Sequence, residues 1–147
     1  MECKKTHDTR LAAHPARYKR VRAAHQTELA EDYVKLIAEL IAEKGEARLV
    51  DLAERLGVTK ATVNNTILRL KRDGFVTSER YRAIFLTDKG RKVAAASRAR
   101  HTIVHDLLIS LGVDAETAAA DAEGIEHHVS KTTLKAFCAH LVKYARK

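Results

Sequence analysis

The sequence of 147 residues has little cysteine, proline or aromatic content, and it has no tryptophan. Two cysteines, Cys3 and Cys138, give no disulfide framework, so we expect a protein of a reducing compartment. No apolar run approaches the roughly 20 residues of a membrane-spanning helix. The first 20 residues also lack the apolar segment of a secretory signal. These absences predict a cytoplasmic protein without membrane contact.

Acidic side chains are fewer than basic ones. The chain has 19 Asp and Glu against 27 Lys and Arg, a formal net charge of +8. Such an excess favours a polyanionic partner such as nucleic acid, although solubility alone also explains it. The apolar content of 46% is that of an ordinary globular protein and excludes a largely disordered chain. A single proline favours a mostly α-helical fold.

The apolar pattern divides the chain into an arm and two domains. Residues 1–16 show no periodicity, and we predict a flexible basic arm over 1–20 that is either solvated or in contact with phosphates. We predict a winged helix-turn-helix domain over 21–90 and a helical domain over 91–147. The first helix is predicted from apolar residues three and four positions apart, namely Leu29, Tyr33, Leu36, Ile37, Leu40 and Ile41.

Residues 48–74 predict two short helices joined by a tight turn. The first ends at Gly57, Thr59 is placed to cap the second, and Gly74 ends it, which is the helix-turn-helix pattern. The apolar positions of the two helices are Leu49, Leu52, Ala53 and Leu56, then Val63, Ile67 and Leu70. The alternating text FVTSERYRAIFLT follows, which predicts two strands with Glu79–Arg82 at their tip. A helix-turn-helix followed by such a hairpin is a winged helix.

Polar residues of the second short helix are predicted to contact double-stranded DNA. A helix fits the major groove, where Asn pairs with adenine, Thr contacts bases, and Lys or Arg reaches guanine or phosphate. Arginines at the wing tip suit a backbone or minor-groove contact. The predicted contacts are Lys60, Thr62, Asn64, Asn65 and Arg69 on the helix, and Arg80 and Arg82 on the wing. Thr66 is also predicted to be exposed on this helix. The alternative is a solvated polar face on a winged helix that binds protein.

Carboxylates and histidines cluster in the second domain. Glu123, Glu126 and His127 follow one another at i, i+3 and i+4, which places them on one face of a helical turn. Such a set can bind a divalent metal, whereas without one the carboxylates repel each other. Further ligands are expected from His101, with His105 one turn on, and from Asp32 of the first helix. A solvated acidic patch with surface histidines is the alternative.

Enzyme motifs are missing from the same region. It has no H-E-x-x-H zinc-protease pattern, no nucleophile–base arrangement and no phosphate loop. Two other classes nevertheless stay open from the residues alone. One is a metal-independent winged-helix regulator, and the other is a metalloenzyme with Glu126 as general base.

At this point the sequence resembles the manganese-responsive, MntR-type regulators of the diphtheria-toxin-repressor family. The matching segments are EDYVKLIAELIAEKGEARLVDLAERLGV, the wing ending in FLTDKG, the R-x-R-H of the long helix and DAEGIEHHVS, within about 27–137. The resemblance implies a winged helix followed by a helical dimerisation domain, with metal between them. It also implies a homodimer on an approximately palindromic operator, repressing metal-uptake genes when the metal is plentiful.

The metal ligands implied by the resemblance are Asp32, His101, Glu123, Glu126 and His127. Iron-type members place softer Met and Cys at the positions of Asp32 and Glu123. Oxygen ligands at both positions favour a hard ion such as Mn(II), with Fe(II) or Zn(II) as alternatives. Dimerisation is expected on the later helices, where apolar side chains exceed what a small bundle buries, namely Leu107, Leu108, Leu111 and the stripe around Phe137.

Lys35 departs from the family, which usually has a glutamate one turn after the aspartate ligand. A protonated lysine has no lone pair and cannot coordinate a metal. We therefore predict one firmly held ion per subunit instead of the two-metal cluster of the family. The Lys35 ammonium would stand in for part of the missing cation's charge against Glu123 and Glu126. In the alternative, Lys35 points to solvent and Glu28 or Glu39 restores the lost carboxylate.

Overall fold

The computed structural model describes residues 15–79 and 82–145, without the side chains of Arg17 and Gln26. Within these ranges the chain is mostly helical, with one two-stranded sheet. Its elements are α1 (Pro15–Lys44), α2 (Leu49–Leu56), α3 (Lys60–Arg72), β1 (Val76–Ser78), β2 (Ile84–Leu86), α4 (Asp88–Ser110), α5 (Ala115–Ile125), a 3-10 turn (Glu126–His128) and α6 (Lys131–Tyr144). In the part of the chain described, no helix is long and apolar enough to cross a membrane.

The predicted winged helix is present. Thr59 caps α3 by accepting a hydrogen bond from the Thr62 amide at 3.2 Å, and Gly57 ends α2 in the left-handed conformation. The strands β1 and β2 pair antiparallel, with Thr77 opposite Phe85. The buried core joins these elements to the second half of α1 through Val34, Ile37, Leu40, Leu52, Val63, Ile67, Leu70, Val76 and Ile84.

The start of α4 is fixed against the wing. The Thr87 hydroxyl donates to the Gly74 carbonyl at 2.6 Å and accepts from the Gly90 amide at 3.1 Å, so it caps α4 while holding the end of α3. Gly90 is buried, and a Cβ there would lie 2.1 Å from the Phe75 carbonyl oxygen. This close approach fixes the first turn of α4 against the residue that precedes β1.

In the second half, α4 packs along α1 and also contacts α5, α6 and the 3-10 turn. Asp114 and Ser130 cap α5 and α6 as predicted. Val104 of α4 and Ala122 of α5 are buried, but no side chain of α6 is. Leu111 is 64% exposed, and other large apolar residues are exposed near the ends of these helices, namely Ile109, Val142 and Tyr144.

The N-terminal boundary differs from the predicted arm. Helix α1 begins at Pro15, so residues 15–20 are helical, whereas 1–14 lie outside the described residues. Proline suits the first position of a helix, because its φ is already helical and its missing N–H is not needed there. Within the predicted apolar stripe, Leu29 is exposed because this part of α1 precedes the packed core.

Candidate metal centre and nucleic-acid interface

Three elements meet between the winged helix and the helical half. Helix α1 contributes Glu31, Asp32 and Lys35, and the 3-10 turn contributes Glu126 and His127. Helix α4 adds side chains at i, i+3 and i+4, which share one helix face, namely Ser97, Arg100 and His101. Because the second half of α1 carries these residues and also packs in the winged-helix core, the site connects the two halves directly.

The His127 side chain lies at the centre of the carboxylates and is 1% exposed. Its Nδ1 lies 2.7 Å from Glu31 Oε2, and its Nε2 lies 2.9 Å from Asp32 Oδ1 and 3.4 Å from Glu126 Oε1. Glu31 thus orients the ring through Nδ1, while Nε2 lies near the carboxylates of Asp32 and Glu126. A carboxylate bonded to the second nitrogen is the usual way in which proteins orient a metal-binding histidine.

Glu126 is fully buried and carries several charged contacts. Ser97 Oγ donates to its Oε1 at 2.5 Å, and Arg100 Nε donates to its Oε2 at 3.0 Å. Lys35 Nζ lies 3.7 Å from Oε1. A buried carboxylate is tolerated only when hydrogen bonds and opposite charge replace water, and these three side chains meet that requirement.

Lys35 lies inside the site and not in solvent. Its side chain is 10% exposed, and Nζ lies 2.5 Å from Glu123 Oε2. Glu123 also lies 3.4 Å from His101 Nδ1, a buried nitrogen with no hydrogen-bond partner among the described residues. The alternative in which Lys35 points to solvent is therefore wrong. His105, the other histidine considered, stacks on His101 and contacts Asp106.

Three pKa shifts follow from this arrangement. Burial alone lowers the pKa of Lys35, but the hydrogen bond and charge of Glu123 and further carboxylate charges outweigh burial and raise it. Burial likewise opposes the charged form of His127, yet its bond to Glu31 and the surrounding carboxylates raise the pKa of the imidazole. Burial raises the pKa of Asp32 despite the charges of His127 and Lys35.

The donor set fits a divalent cation. Glu31, Glu126 and His127 each offer one ligand atom, and these atoms lie within 4.8 Å of one another. The same holds for Glu28 and Asp32 with His127. Carboxylate oxygens with an imidazole nitrogen suit ions such as Mn(II), and the like charges of the carboxylates disfavour this grouping without a cation.

The structure places the five predicted ligands in two groups. Asp32, Glu126 and His127 meet directly, whereas His101 and Glu123 form a separate pair on the other side of Lys35. The expected single helix face is absent because α5 ends at Ile125, and the next two ligands continue in the 3-10 turn. The Lys35 ammonium occupies the space between the groups.

Sequence reasoning missed Glu31, Ser97 and Arg100. Arg100 bridges Glu31 and Glu126, with Nη2 2.6 Å from Glu31 Oε2. A signal existed for Ser97, which precedes His101 by one helical turn on the same face of α4. Glu31 and Arg100 gave no such signal, because each adjoins a predicted ligand and adjacent helix residues usually point in different directions.

The predicted DNA-contacting residues belong to α3 and to the wing. Six of them are exposed: Lys60, Thr62, Asn64, Asn65, Arg69 and Arg82. A groove between α2, α3 and the wing is lined by Lys60, Asn64 and Arg82, and by two basic residues not predicted, Arg48 and Lys71. The turn at the wing tip is closed by an Arg82–Glu79 ion pair of 2.9 Å.

Thr66 and Arg80 differ from these six residues. Thr66 is buried, not exposed, and its hydroxyl donates to the Thr62 carbonyl at 3.1 Å. It lies on the inner side of α3 because it follows Val63 by three residues and adjoins Ile67, and both of these residues are buried. Arg80 lies outside the described residues.

Comparisons with known proteins place both halves in one family. Residues 25–84 match the model of the iron-dependent repressor N-terminal DNA-binding domain, and residues 87–146 match that of the iron-dependent repressor metal-binding and dimerisation domain. The chain is 52% identical to the transcriptional regulator MntR of Salmonella typhimurium over 126 residues, which are 86% of this chain and 80% of that protein. This chain belongs to the iron-dependent-repressor family, in its MntR branch.

Other members of the MntR branch match at lower identity. The HTH-type transcriptional regulator MntR of Bacillus subtilis is 42% identical over 100 residues, covering 68% of this chain and 70% of that protein. Members of the family are metal-dependent transcriptional repressors and not enzymes, and this chain is one of them. The family's two domains bind DNA and dimerise, so the predicted family, fold class and regulatory function are confirmed.

Solved structures agree with the fold. A manganese-dependent transcriptional repressor in complex with manganese matches with a TM-score of 0.68 and 33% identity, over 76% of this chain and 52% of the other. The manganese regulator SloR matches with a TM-score of 0.67 and 26% identity, over 76% of this chain and 53% of SloR. This chain thus spans about half the length of these solved chains.

Proposed function

We propose that this chain is a cytoplasmic, Mn(II)-responsive repressor of metal-uptake genes. The observation that carries the proposal is the group of carboxylates around His127, which joins α1 of the DNA-binding half to the 3-10 turn of the other half. The similarity to MntR regulators and to a solved manganese-dependent repressor in complex with manganese supports Mn(II) as the metal. The oxygen-rich set of ligands supports it as well. We place the division between the two domains at about residue 90.

Asp32, Glu126 and His127 are the proposed core of the site. When bound, the ion supplies the positive charge and fixed geometry that hold these groups together. Glu31 accepts the hydrogen bond from Nδ1 of His127, which leaves Nε2 free to face Asp32 and Glu126. Arg100 holds Glu31 and Glu126 in place, and it therefore positions ligands without coordinating.

Lys35 limits the site to one firmly held ion per subunit. Its ammonium contacts Glu123 at 2.5 Å and Glu126 at 3.7 Å, so a second cation beside these carboxylates would meet a fixed positive charge. His101 and Glu123, the other two predicted ligands, are proposed to form an outer pair of the site beside Lys35. Glu28, the other carboxylate considered, lies near Asp32 and His127, but its Oε2 contacts His128 at 3.2 Å.

On DNA, the proposal is a two-fold dimer that presents α3 twice to an approximately palindromic operator. Asn64, Asn65 and Arg69 are the proposed base-reading residues, with Lys60, Thr62 and Arg82 on bases or backbone. Arg48 and Lys71 line the same groove and add positive charge for phosphates. A bound ion fixes α1 and thereby the separation of the two recognition helices.

A duplex selected by the Mn(II)-loaded protein from a random pool allows a direct test. We expect Mn(II) to support binding of this duplex and EDTA to abolish it. The duplex affinity measured with Fe(II) and with Zn(II) ranks these two alternative metals against Mn(II). His127→Ala should bind like the metal-free parent, whereas His140→Ala, an exposed histidine on α6, should bind like the loaded parent. Equal binding in EDTA would instead favour a metal-independent regulator.

A further inference from the structure

A second group of side chains that could hold a metal ion consists of His25, Glu28 and His128. His25 and Glu28 are one turn apart on α1, and His128 ends the 3-10 turn. His128 Nε2 lies 3.2 Å from Glu28 Oε2, and the rings of His25 and His128 have centroids 5.5 Å apart at 82°. One ligand atom from each of the three side chains lies within 4.8 Å of the others.

We infer that His25, Glu28 and His128 form an auxiliary metal site that takes a Zn(II)-class ion. Ligand atoms of a tetrahedral zinc site are about 3.4 Å apart, given bonds of about 2.1 Å. Rotation of the two imidazoles, both on exposed residues, is enough to reach this spacing. An open cleft beside the group is lined by Glu28, His128 and Asp121.

The ligand chemistry separates this site from the one around His127. Two imidazoles and one carboxylate suit Zn(II), Co(II) or Ni(II), whereas a set dominated by carboxylates suits Mn(II). Lys35 and Arg100, the cationic side chains of the site around His127, pair with carboxylates of that site, namely Glu31, Glu123 and Glu126. Glu28 pairs with His128 within the described part of the chain.

An ion at this site would link the first half of α1 to the 3-10 turn. Residues before Glu28 on this helix are largely exposed, including Tyr18 and Val21, so packing contributes little to holding them. The turn that carries His128 also carries Glu126 and His127. Occupancy of the auxiliary site would therefore stabilise the approach of α1 to the ligands of the neighbouring site.

Calorimetric titration of the full chain with Zn(II) and Mn(II) tests the inference. A Cys3→Ser background removes a thiolate ligand near the N-terminus. The Cys3→Ser protein is expected to bind one more Zn(II) ion than Mn(II) ions per subunit. His25→Ala and the more conservative His25→Gln are expected to lose that extra Zn(II) and to keep Mn(II) binding unchanged. His140→Ala, which removes an exposed imidazole on α6, should keep the extra Zn(II).

The deciding quantity is the Zn(II) lost on substitution of His25, which does not depend on how many Mn(II) ions bind around His127. A Zn(II) count that is the same in the background protein and in His25→Ala would overturn the inference. So would equal counts of Zn(II) and Mn(II) in the background protein. In either case the three side chains form only a hydrogen-bonded surface group.

Discussion

Lys35 places a permanent positive charge where the carboxylates of two elements converge. Its nitrogen contacts Glu123 and approaches Glu126, and the raised pKa of the ammonium keeps it charged at neutral pH. A cation supplied by the chain itself relieves the repulsion between these carboxylates before any metal binds. The proposed consequence is a smaller metal capacity than the family's two-metal cluster.

Calorimetric titration with Mn(II) measures this consequence. We expect about one site per subunit in the parent and a count rising toward two in Lys35→Glu, because the substitution removes a positive charge and adds a ligand. Lys92→Glu makes the same charge change at an exposed position of α4 and should leave the count at one. Two comparable sites in the parent would show that Lys35 does not limit the cluster.

Some contacts of the site residues were predictable from the sequence, and others were not. The contact of Lys35 with Glu123 and Glu126 was predictable because helix periodicity faces Lys35 toward the proposed ligand Asp32. The roles of Arg100 and Glu31 depend on how α1 crosses α4, and no local pattern encodes that crossing. The 3-10 turn that separates Glu126 from Glu123 was likewise not visible in the spacing.

Helix α3 is the element whose two sides carry different functions. Its inner side packs Val63, Ile67 and Leu70, and Asn65 is exposed on the other. Local patterns predicted this division because capping and apolar spacing are properties of neighbouring residues. They failed only at Thr66, a polar residue that hydrogen-bonds its own helix backbone and so tolerates burial.

Replacement of Asn65 by Ala tests the outer side of α3. We expect a loss of roughly 1–3 kcal/mol in affinity for the selected duplex, with little change in melting temperature, because an exposed side chain stabilises the fold weakly. Fluorescence anisotropy and calorimetric melting measure the two quantities. Lys135→Ala on α6 serves as the exposed control. Unchanged duplex affinity, or unfolding, in Asn65→Ala would remove this residue from the proposed interface.

The junction of the wing and α4 depends on a glycine without a Cβ. In Gly90→Ala the new methyl group would collide with the backbone of Phe75, so we expect a destabilisation of about 1–3 kcal/mol or more in chemical denaturation. Gly124→Ala is the matched control, since nothing lies within 4 Å of its added Cβ. Its helix should become more stable by about 0.5–1 kcal/mol. Equal effects of the two substitutions would contradict the close approach at Gly90.

For the whole molecule, the exposed apolar residues of the helical half predict the mode of dimerisation. Leu111 is largely exposed, Phe137 is only half-buried, and α6 buries no side chain within the subunit. Surfaces of this kind usually mark an interface. We expect sedimentation velocity in EDTA to show a dimer, because this surface is separate from the metal ligands. A monomer without metal that dimerises with Mn(II) would mean that the ion builds the interface.

One site is proposed to transmit metal binding to DNA through α1. Thermodynamic linkage requires that Mn(II) and operator strengthen each other by the same factor. The direct measurement is the Kd of the selected duplex with and without Mn(II), together with the Kd of Mn(II) with and without the duplex, in one buffer. We predict two equal factors of about tenfold or more, both reduced toward one in Asp32→Ala. A duplex affinity that is the same in Mn(II) and in EDTA would contradict the account.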